Sequence, residues 1–463
     1  MRKLYITMML ILTGIIVEAQ TSVWDGSKKL WTRGAGTENN PYLIESAENL
    51  AFLSYMVNKG FETQGVHFRL TTDIDLNGSE LQPWQPIGLY ERWFDEDGCD
   101  RGKPNDVGFQ NTTFRGHFDG GGHAITNIYV DKMGCYAGLF GFAGGWDEMA
   151  TIENVFIASG YIKGGICGGI VGKGTHLIVS HCRNEATIEG EVTGGIVGSG
   201  SERVINCSNT GTLSGSNVGG IIGGASSAEI IECYNDGNIT ATQIGGGILC
   251  RSQKAALNNC YNTGDVFVVG DSTSYYPYYP MAGGLVGVAV FNRTVVRNSY
   301  NVGEVTSNNY MGCLLGYVSS SEIVNFENCY YLNDCYESDF GTSKNAEEMR
   351  DEAFVNILNQ NTQVWGFDEN QVNDGFPILT RTDLSVNSYA EKYLTVYPNP
   401  AYGIVNIEGV KVAQVQVYNN LGQAVRTFYN TNKINTNDIQ KGFYLLRLIA
   451  TDGTFYSTRL VVQ

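Results

Sequence analysis

Three aspartates near the start of the chain have the residue types and spacing for acid–base chemistry. Asp73 and Asp75 are two residues apart, so they point to one face of a strand, and Asp119 lies between His117 and His123. Paired carboxylates can hydrolyse glycosidic bonds, and a histidine beside an aspartate can move protons. An aspartate at a turn also commonly accepts hydrogen bonds from backbone N–H groups. Because no nucleophile or third partner lies nearby in the sequence, this structural role is favoured over catalysis.

A short acidic loop has side chains that suit a metal ion. Asp95, Asp97 and Asp100 offer the hard oxygen ligands that calcium prefers. Their spacing departs from that of an EF-hand, and a solvated acidic loop explains the same composition. The sequence has no Cys-x-x-Cys pair with zinc spacing. We therefore expect no metal site and no cofactor, with calcium at this loop as the alternative.

The candidate ligand site lies at an insertion, residues 271–280, in one of the sequence repeats. Asp265 and Glu304 occupy equivalent places in neighbouring repeats, so stacked repeats put their backbones about 5 Å apart. Tyrosine rings stack on sugars or proteins, and carboxylates accept hydrogen bonds from sugar hydroxyls. We predict a glycan- or protein-binding site, with a loop packed over the repeats or a retaining hydrolase as the alternatives. The predicted site consists of Asp265, Tyr275, Tyr276, Tyr278, Tyr279 and Glu304.

These residues belong to a repeat with a nearly constant period. The successive steps from Cys182 to Cys207, from Cys207 to Cys233 and from Cys233 to Cys260 are 25, 26 and 27 residues. Each copy has short Ile- and Val-rich groups between a Gly-Gly pair and an asparagine turn, which is typical of short strands rather than helices. A fixed period means that each unit buries its apolar side against its neighbours. The repeats therefore predict a parallel β-helix. Together with the end segments described below, the sequence predicts an all-β protein: a parallel β-helix with short helical caps, followed by a small Ig-like β-sandwich.

In-register stacking of the repeats predicts three columns of like residues. One is the Gly-Gly pair, where the backbone bends with no Cβ in the way. The second is Cys182, Cys207, Cys233, Cys260 and Cys329, with Ser299 as its polar member. The third is Asn184, Asn209, Asn235, Asn262 and Asn301. We expect the asparagines to adopt the left-handed conformation at corners and to hydrogen-bond from rung to rung.

The cysteine column is expected to consist of buried, reduced thiols. Stacked Cβ atoms lie beyond the distance that a disulfide prefers, and a buried thiol behaves as a small apolar group. A serine in place of Cys233 is expected to cost roughly 1–3 kcal/mol, because the column would lack a partner for its hydroxyl. Cys99 and Cys335 lie outside the column and are the cysteines expected to be available for a disulfide.

The repeats resemble a known family of bacterial repeats. The core Gly138-Leu139-Phe140-Gly141 and the later copies, over about residues 135–335, are similar to the GLUG repeat of large bacterial surface proteins. The resemblance implies a β-solenoid and indicates little about activity.

The remaining segments are predicted to be a signal peptide, two caps at the ends of the β-helix, a linker and a final domain. Arg2 and Lys3 precede an apolar run that ends before Gln20, as in a secretory signal peptide, and no later run is long enough to cross a membrane. A first helix capped by Ser46 and a last helix, from Ser343 or Asn345 to about Asn359, are predicted at the two ends. The predicted segments are the signal peptide 1–19, N-terminal cap 20–65, β-helix 66–336, C-terminal cap 337–380, linker 381–391 and final domain 392–463.

The final domain has alternating strands separated by Asn-Pro, Leu-Gly and Lys-Gly turns. It resembles the type A C-terminal sorting domain of the type IX (Por) secretion system. The motif residues are Pro398, Asn399, Pro400, Gly422, Gly442 and Tyr444. The resemblance implies export across the outer membrane of a Gram-negative cell by the type IX machinery. The product would then be released or attached to surface lipopolysaccharide, so it would be secreted, surface-bound or extracellular.

Charge and motif content narrow the function. A net charge of −17 argues against nucleic acid or anionic lipid as a partner. Three hypotheses stay open: an adhesin-like module that binds a glycan or host protein, a β-helix polysaccharide lyase or hydrolase, and a structural stalk. The repeats have no Ser–His–Asp, Cys–His or HExxH arrangement, so binding is favoured over catalysis.

Overall fold

The computed structural model describes residues 21–89, 112–145, 149–270, 279–291, 293–335, 340–360, 362–380, 395–397, 400–408, 411–418, 424–450 and 455–462. The predicted signal peptide, acidic loop and linker lie outside these residues. The chain divides into two compact units, Met1–Asp383 and Leu384–Gln463. Across the described ranges, no helix has the length and apolarity needed to cross a membrane.

The first unit is a parallel β-solenoid, as the repeat predicts. One side is sheet I, in which inward residues such as Ile162, Ile188 and Leu213 stack in register and are fully buried. Within the described residues its strands are Ile128–Ala137, Gly160–Gly168, Thr187–Gly194, Leu213–Gly219, Ile239–Gly246, Val266–Val268, Met281–Gly283, Val305–Ser307 and Tyr310–Gly312.

The other sides belong to sheet II, whose longer strands turn corners. Val171–Ser180, for example, pairs first with Phe140–Gly144 and then with Ala150–Glu153. The described strands of sheet II are Ser22–Val23, Tyr42–Ile44, His67–Leu70, Ile74–Asp75, His117–Asp119, Ala124–Thr126, Phe140–Gly144, Ala150–Glu153, Phe156–Ile157, Val171–Ser180, Arg183–Asn184, Val197–Ile205, Ser208–Asn209, Ile222–Ile231, Tyr234–Asn235, Leu249–Ser252, Ala255–Asn258, Tyr261–Asn262, Val286–Ala289, Thr294–Asn301, Leu315–Val318, Val324–Leu332 and Thr342–Lys344.

The asparagine column forms a buried amide ladder. Asn209 Nδ2 donates to Asn235 Oδ1 of the next rung at 2.8 Å and to the Gly211 carbonyl at 2.8 Å. Asn184, Asn235 and Asn262 donate to the next rung in the same way, at 2.7–2.8 Å. Each amide group therefore donates one hydrogen bond to a carbonyl of its own turn and one to the asparagine of the next rung. A fully buried polar side chain requires such partners.

The expectation of left-handed ladder asparagines is wrong. The ladder residues lie in short strands, such as Arg183–Asn184 and Tyr234–Asn235. The positive φ angles fall instead on the residue just before each column cysteine or serine. These residues are His181, Asn206, Glu232, Asn259, Asn298 and Asn328, with φ between 47° and 55°. The chain thus turns before the column, and the asparagine stays extended with its amide aimed along the solenoid axis.

The second glycine of each pair is required by this ladder. A Cβ on Gly220 would lie 1.9 Å from the Gly247 carbonyl oxygen and 2.5 Å from the Asn235 side chain. The equivalent glycines of the other repeats meet their own ladder asparagine at a similar distance. Close approach to the amide and to the next rung, rather than a positive φ, therefore excludes a side chain.

The cysteine column is buried, and its members are reduced. The amides of Cys182 and Cys207 each donate to the next cysteine Sγ at 3.4 Å. Burial raises the pKa of the Cys207 and Cys260 thiols well above their usual range, and that of Cys329 to about 12. Ser299 takes its place in the column, accepting a hydrogen bond from the Cys260 amide at 3.0 Å.

One disulfide is present in the described residues, and it uses one cysteine that was expected to be available, Cys335, and one that was not, Cys313. Cys335 is bonded to Cys313 of the last repeat, with Cα atoms 5.9 Å apart, and Cys99 lies outside the described residues. Cys313 occupies the place of the second glycine. Its rung carries Tyr331, in register with Asn301, where a further ladder asparagine would stand. With the ladder ended, a side chain fits at this place and reaches Cys335.

The N-terminal cap is helical but also contributes strands. Helix α1, Ala47–Asn58, begins at Ser46, whose side chain accepts from the Asn49 amide, and the chain leaves it at Gly60 with φ 88°. Within the predicted cap 20–65, Ser22–Val23 and Tyr42–Ile44 pair in parallel with later strands. These short strands therefore join sheet II from within the predicted cap.

The predicted last helix is two helices. Helix α2, Ala346–Met349, has a capping box between Asn345 and Glu348, and helix α3, Glu352–Leu358, starts at Asp351. The Asp351 side chain accepts from the Ala353 amide, so the chain begins a new helix there. A 3-10 turn, Ser321–Ile323, and an antiparallel pair, Trp365–Gly366 with Ile378–Leu379, complete this region.

The C-terminal cap, with helices α2 and α3, packs along one side of the solenoid. Tyr234, Tyr261 and Tyr300 stack with ring centroids 4.8 and 5.2 Å apart and nearly parallel planes. Met349, Phe354, Leu358, Trp365 and Phe376 form one buried cluster with Tyr261 and Tyr300. The Tyr300 hydroxyl donates to the Pro377 carbonyl at 2.5 Å. The cap therefore covers a tyrosine column as well as following the last rung.

The second unit is a small antiparallel β-sandwich. In the described residues its sheets are Thr395–Tyr397, Ile404–Glu408 and Lys433–Asn435, and Val412–Tyr418, Ala424–Tyr429, Gly442–Ala450 and Phe455–Val462. Val405 and Ile407 of the first sheet share one core with Val415, Val417 and Leu446 of the second. Alternating inward residues from two facing sheets define a sandwich.

Candidate functional site

The aspartates near the start of the chain bind turns. Asp73 Oδ1 lies 3.0 Å from His123 Nδ1 and accepts from the Ala124 amide at 3.1 Å. Asp75 accepts from the Asn77 amide at 2.7 Å, and Asp119 from the Gly121 amide at 2.8 Å. The three bonds from backbone amides are the contacts that the structural interpretation requires.

The sequence-predicted ligand site is partly described. Asp265 and Glu304 each come directly before a strand of sheet I, Val266–Val268 and Val305–Ser307, and Asp265 Oδ1 accepts from the Glu304 amide at 3.0 Å. Tyr279 is half-buried, with its ring 5.9 Å from that of Tyr310. The other three tyrosines, Tyr275, Tyr276 and Tyr278, lie outside the described residues, as do Asp95, Asp97 and Asp100.

Sheet I carries an open groove on its outward face. The groove has a volume of about 540 Å³ and crosses four strands. It is lined by Lys163, Gly164, Gly165, Glu189, Gly190, Glu191, Ser214, Gly215, Ser216, Thr240 and Thr242. It therefore runs from a charged end to an end that carries only hydroxyl side chains.

A bend in each strand produces the groove. Pairing along the sheet includes Gly164, Gly190 and Gly215 and then omits the next residue, so Glu191 and Ser216 lie outside the ladder. A Cβ on Gly190 would lie 2.7 Å from the Cys167 Sγ atom, so the backbone approaches the core at this point. The sheet is thus drawn inward at the glycines, and polar side chains stand on both sides.

A hydrogen-bonded group fixes the charged end. Glu189 Oε1 lies 2.7 Å from Lys163 Nζ, and Glu189 Oε2 accepts from the Tyr161 hydroxyl at 2.6 Å. The hydrogen bond from Lys163 lowers the pKa of Glu189 most, and the hydrogen bond from Tyr161 lowers it further. Burial is the larger cause, and the hydrogen bond to Glu189 the second, that raises the pKa of Tyr161 to about 12. At neutral pH the carboxylate is therefore ionised and the phenol neutral, which suits hydrogen bonding rather than proton transfer.

Sequence reasoning missed this groove, although a signal was present. Lys163, Glu189 and Ser214 each stand five residues before the first glycine of their pair, and Thr240 stands six before Gly246. The place recurs, but its residue type changes from repeat to repeat. A search for repeated residues cannot find a column that the protein varies.

A comparison with known families identifies the second unit. Residues 395–463 match the model of the secretion system C-terminal sorting domain. The match indicates export by the type IX system and a secreted or cell-surface location in a Gram-negative bacterium of the Bacteroidetes type. Of the predicted motif residues, Pro398, Asn399 and Gly422 lie outside the described residues. Gly442 begins a strand, and the Tyr444 hydroxyl donates to the Gln440 carbonyl at 2.7 Å.

Two curated proteins are similar to part of the chain. A protein of Evansella cellulosilytica, provisionally named a Gly-rich membrane protein, is 31% identical over 153 residues, which are 32% of this chain and 14% of that protein. Halomucin of Haloquadratum walsbyi is 29% identical over 147 residues, 30% of this chain and 1% of its own length. The chain thus matches only a small part of these relatives.

Two solved structures are also similar. One, from Bacteroides ovatus and provisionally named an immunoglobulin A1 protease, has a TM-score of 0.45 and 21% identity, covering 76% of this chain and 95% of that one. The other, named IgA1 Protease, has a TM-score of 0.38 and 15% identity, covering 92% and 33%. Likeness at this level assigns no activity.

Proposed function

We propose that the solenoid is a glycan-binding module that the type IX system delivers to the cell surface or the medium. The observation that carries the proposal is the open groove on sheet I, lined by hydroxyl and carboxylate groups. Sugar hydroxyls both donate and accept hydrogen bonds, so they suit Ser214, Thr240 and the ionised Glu189. A groove that is open along several strands suits a chain of sugars better than a small enclosed ligand.

Aromatic rings beside the groove support a glycan ligand. Tyr129 and Tyr161 stand on adjacent strands with ring centroids 6.0 Å apart, and Tyr161 is hydrogen-bonded to Glu189, which lines the groove. Aromatic faces stack on the apolar faces of sugar rings. The earlier-predicted site at Asp265 and Glu304 remains a proposal, and it lies further along the same sheet.

The finer features of export and surface display are part of the proposal. We infer that residues 1–19 are a signal peptide, that the repeats are of the GLUG type, and that the product is released or attached to lipopolysaccharide as an adhesin-like protein. A chain ending at Leu379 should then accumulate in the periplasm while the full chain reaches the surface or medium. Equal surface levels of both would contradict this.

Glycan binding is tested with a blocked groove. Ser216 lies in the groove outside the strand pairing, so Ser216→Arg should fill the groove without disturbing the fold. The matched control is Ser227→Arg, because Ser227 is exposed on a strand of sheet II. Full-length protein and both variants are applied to a panel of plant, fungal and bacterial glycans. We expect binding by the intact protein and the control, and at least a tenfold loss in Ser216→Arg.

Two results would oppose the proposal. Binding of no glycan by the folded intact protein would leave the groove without this function. Equal binding by Ser216→Arg and the intact protein would place any glycan site elsewhere on the molecule.

A further inference from the structure

The outward column of sheet I continues beyond the groove to an exposed aromatic residue. Lys163, Glu189, Ser214, Thr240 and Phe267 are successive register partners on adjacent strands. Phe267 is 47% exposed although it is apolar. The hydroxyl-bearing end of the groove therefore leads directly to a phenylalanine ring on the next strand.

Further exposed apolar side chains lie on nearby segments of the same sheet. Val269, two residues after Phe267, is 45% exposed, and Tyr310, at the start of the strand Tyr310–Gly312, is 41% exposed, with its ring in contact with those of Tyr279 and Tyr317. An exposed aromatic patch beside a polar groove is typical of a binding surface rather than of a structural one. Aromatic residues thus stand at both ends: Tyr129 and Tyr161 at the charged end, and this patch at the other.

We propose that the patch is the far end of the same binding site and that the ligand is an uncharged polysaccharide chain lying along the solenoid axis from Glu189 to Phe267. The inference rests on the proposed glycan-binding function and deepens it. Three rung steps separate Glu189 from Phe267, which is about 14 Å at the spacing of parallel strands. With roughly one sugar ring per rung, the site would hold a chain of about four rings.

The charges of the groove favour an uncharged chain. Lys163 is the cation among the lining residues, and it is held by Glu189 at 2.7 Å. Glu191 adds a second carboxylate to the lining, with Glu189 ionised. A uronate or sulfate group would meet these carboxylates and find the lysine already paired, so an acidic chain is repelled. Hydroxyl groups meet no such obstacle.

The experiment uses a length series. The mature full-length protein is first tested on neutral linear polysaccharides (cellulose, chitin, xylan, mannan and amylose) and on polygalacturonate and heparin. Oligosaccharides of one to eight rings, from the neutral polymer that binds best, are then titrated by calorimetry. We expect affinity to rise with length up to four or five rings and then to level off.

Variants locate the far end of the site. Phe267→Ala should weaken binding of chains of four or more rings by about fivefold and leave the disaccharide unchanged, while Phe267→Tyr should keep the long-chain affinity. Phe367→Ala is the matched control, because Phe367 is 45% exposed and lies outside sheet I. Circular dichroism checks that each variant is folded.

The outcomes separate the two proposals. Glycan binding without dependence on length, or with Phe267→Ala equal to the intact protein, would overturn the extended site but not the groove. Stronger binding to the acidic polymers would overturn the choice of an uncharged chain. Binding to none of the polymers would overturn both this inference and the proposed function.

Discussion

The side of the solenoid that carries the asparagine and cysteine columns, which we call the flank, and the outward face of sheet I are made from the same rungs. Their residues nevertheless repeat to different degrees. On the flank, Asn209 is followed by Asn235 and Asn262 in register, each in the same bond. On sheet I, the column passes from lysine to glutamate, serine, threonine and phenylalanine. A buried amide needs an identical neighbour to satisfy it, whereas an exposed side chain does not.

The difference assigns separate tasks to the two surfaces. Substitution on the flank breaks bonds in three rungs at once, so its residues are fixed by stability. Substitution on the outward face of sheet I changes only what a ligand meets. Mutations on the flank should therefore alter stability, and mutations on the face should alter binding alone.

The largest loss is expected for Gly220→Ala. Its Cβ would lie 1.9 Å from the Gly247 oxygen, so the rungs must separate, and we expect a loss of about 3 kcal/mol or more. Thermal unfolding followed by circular dichroism measures it. Gly224→Ala is the control, because the nearest atom to its Cβ is 3.5 Å away. Equal midpoints for both variants would show that the ladder does not require glycine.

Asn235→Ala should be the next most damaging change. It removes the bonds from Nδ2 to the Gly237 carbonyl and to Asn262, and takes the acceptor from Asn209. We expect a loss of about 2–3 kcal/mol, since buried polar groups lose their partners. Asp236→Ala, at the exposed neighbour, should change stability by less than about 0.5 kcal/mol. A similar loss in both variants would contradict the ladder's role.

The cysteine column should tolerate serine better than valine, contrary to the cost expected from the sequence. Ser299 Oγ accepts from the Cys260 amide at 3.0 Å and donates to the Arg297 carbonyl at 2.7 Å, so the column does supply partners. The equivalent partners of Cys233 are the Cys207 amide and the Ile231 carbonyl. Cys233→Ser should therefore cost less than about 1 kcal/mol, and Cys233→Val, which removes the acceptor, about 1–3 kcal/mol. Urea unfolding of both variants tests this order.

The repeat predicted the parts of the fold that depend on equal spacing. The parallel solenoid, the buried cysteines and the rung-to-rung asparagine bonds all follow from one period. The left-handed position did not follow, because His181 and Asn184 are only three residues apart in the repeat, and their spacing does not indicate which of them takes the positive φ. Nor did the packing of the cap, since Tyr300 meets Pro377 across 77 residues of sequence.

The candidate site was harder to predict than the fold. Sequence reasoning selected residues of unusual type, such as Asp265 and the tyrosines of the insertion. The groove depends instead on a bend at Gly190 and on ordinary serines and threonines that become neighbours only when the rungs stack. Phe267 lies two residues after Asp265, so the site predicted from the sequence and the proposed groove lie near each other in sheet I, although the sequence did not indicate which residues line the groove.

The smallest effect on stability is expected for Glu189→Gln, which keeps the shape of the side chain and removes its charge. The pair with Lys163 is exposed, so the thermal midpoint should barely change at neutral pH. The lowered pKa of Glu189 means that any stabilisation is present above the ordinary glutamate pKa and is lost as the pH falls below it. The difference between intact protein and variant should therefore vanish in acid, and also in 1 M salt.

Binding should separate this variant from a matched one on the other surface. Glu229 pairs with Arg203 on sheet II at 2.5 Å, with a similar exposure of both side chains. Glu229→Gln should change the midpoint equally little, with the same dependence on salt, and it should bind glycan like the intact protein. Glu189→Gln should bind several-fold more weakly at neutral pH, because a carboxylate accepts stronger hydrogen bonds than an amide. If both variants bind alike, the charged end of the groove takes no part in recognition, and the contrast between the two surfaces fails at the residue where it is most specific.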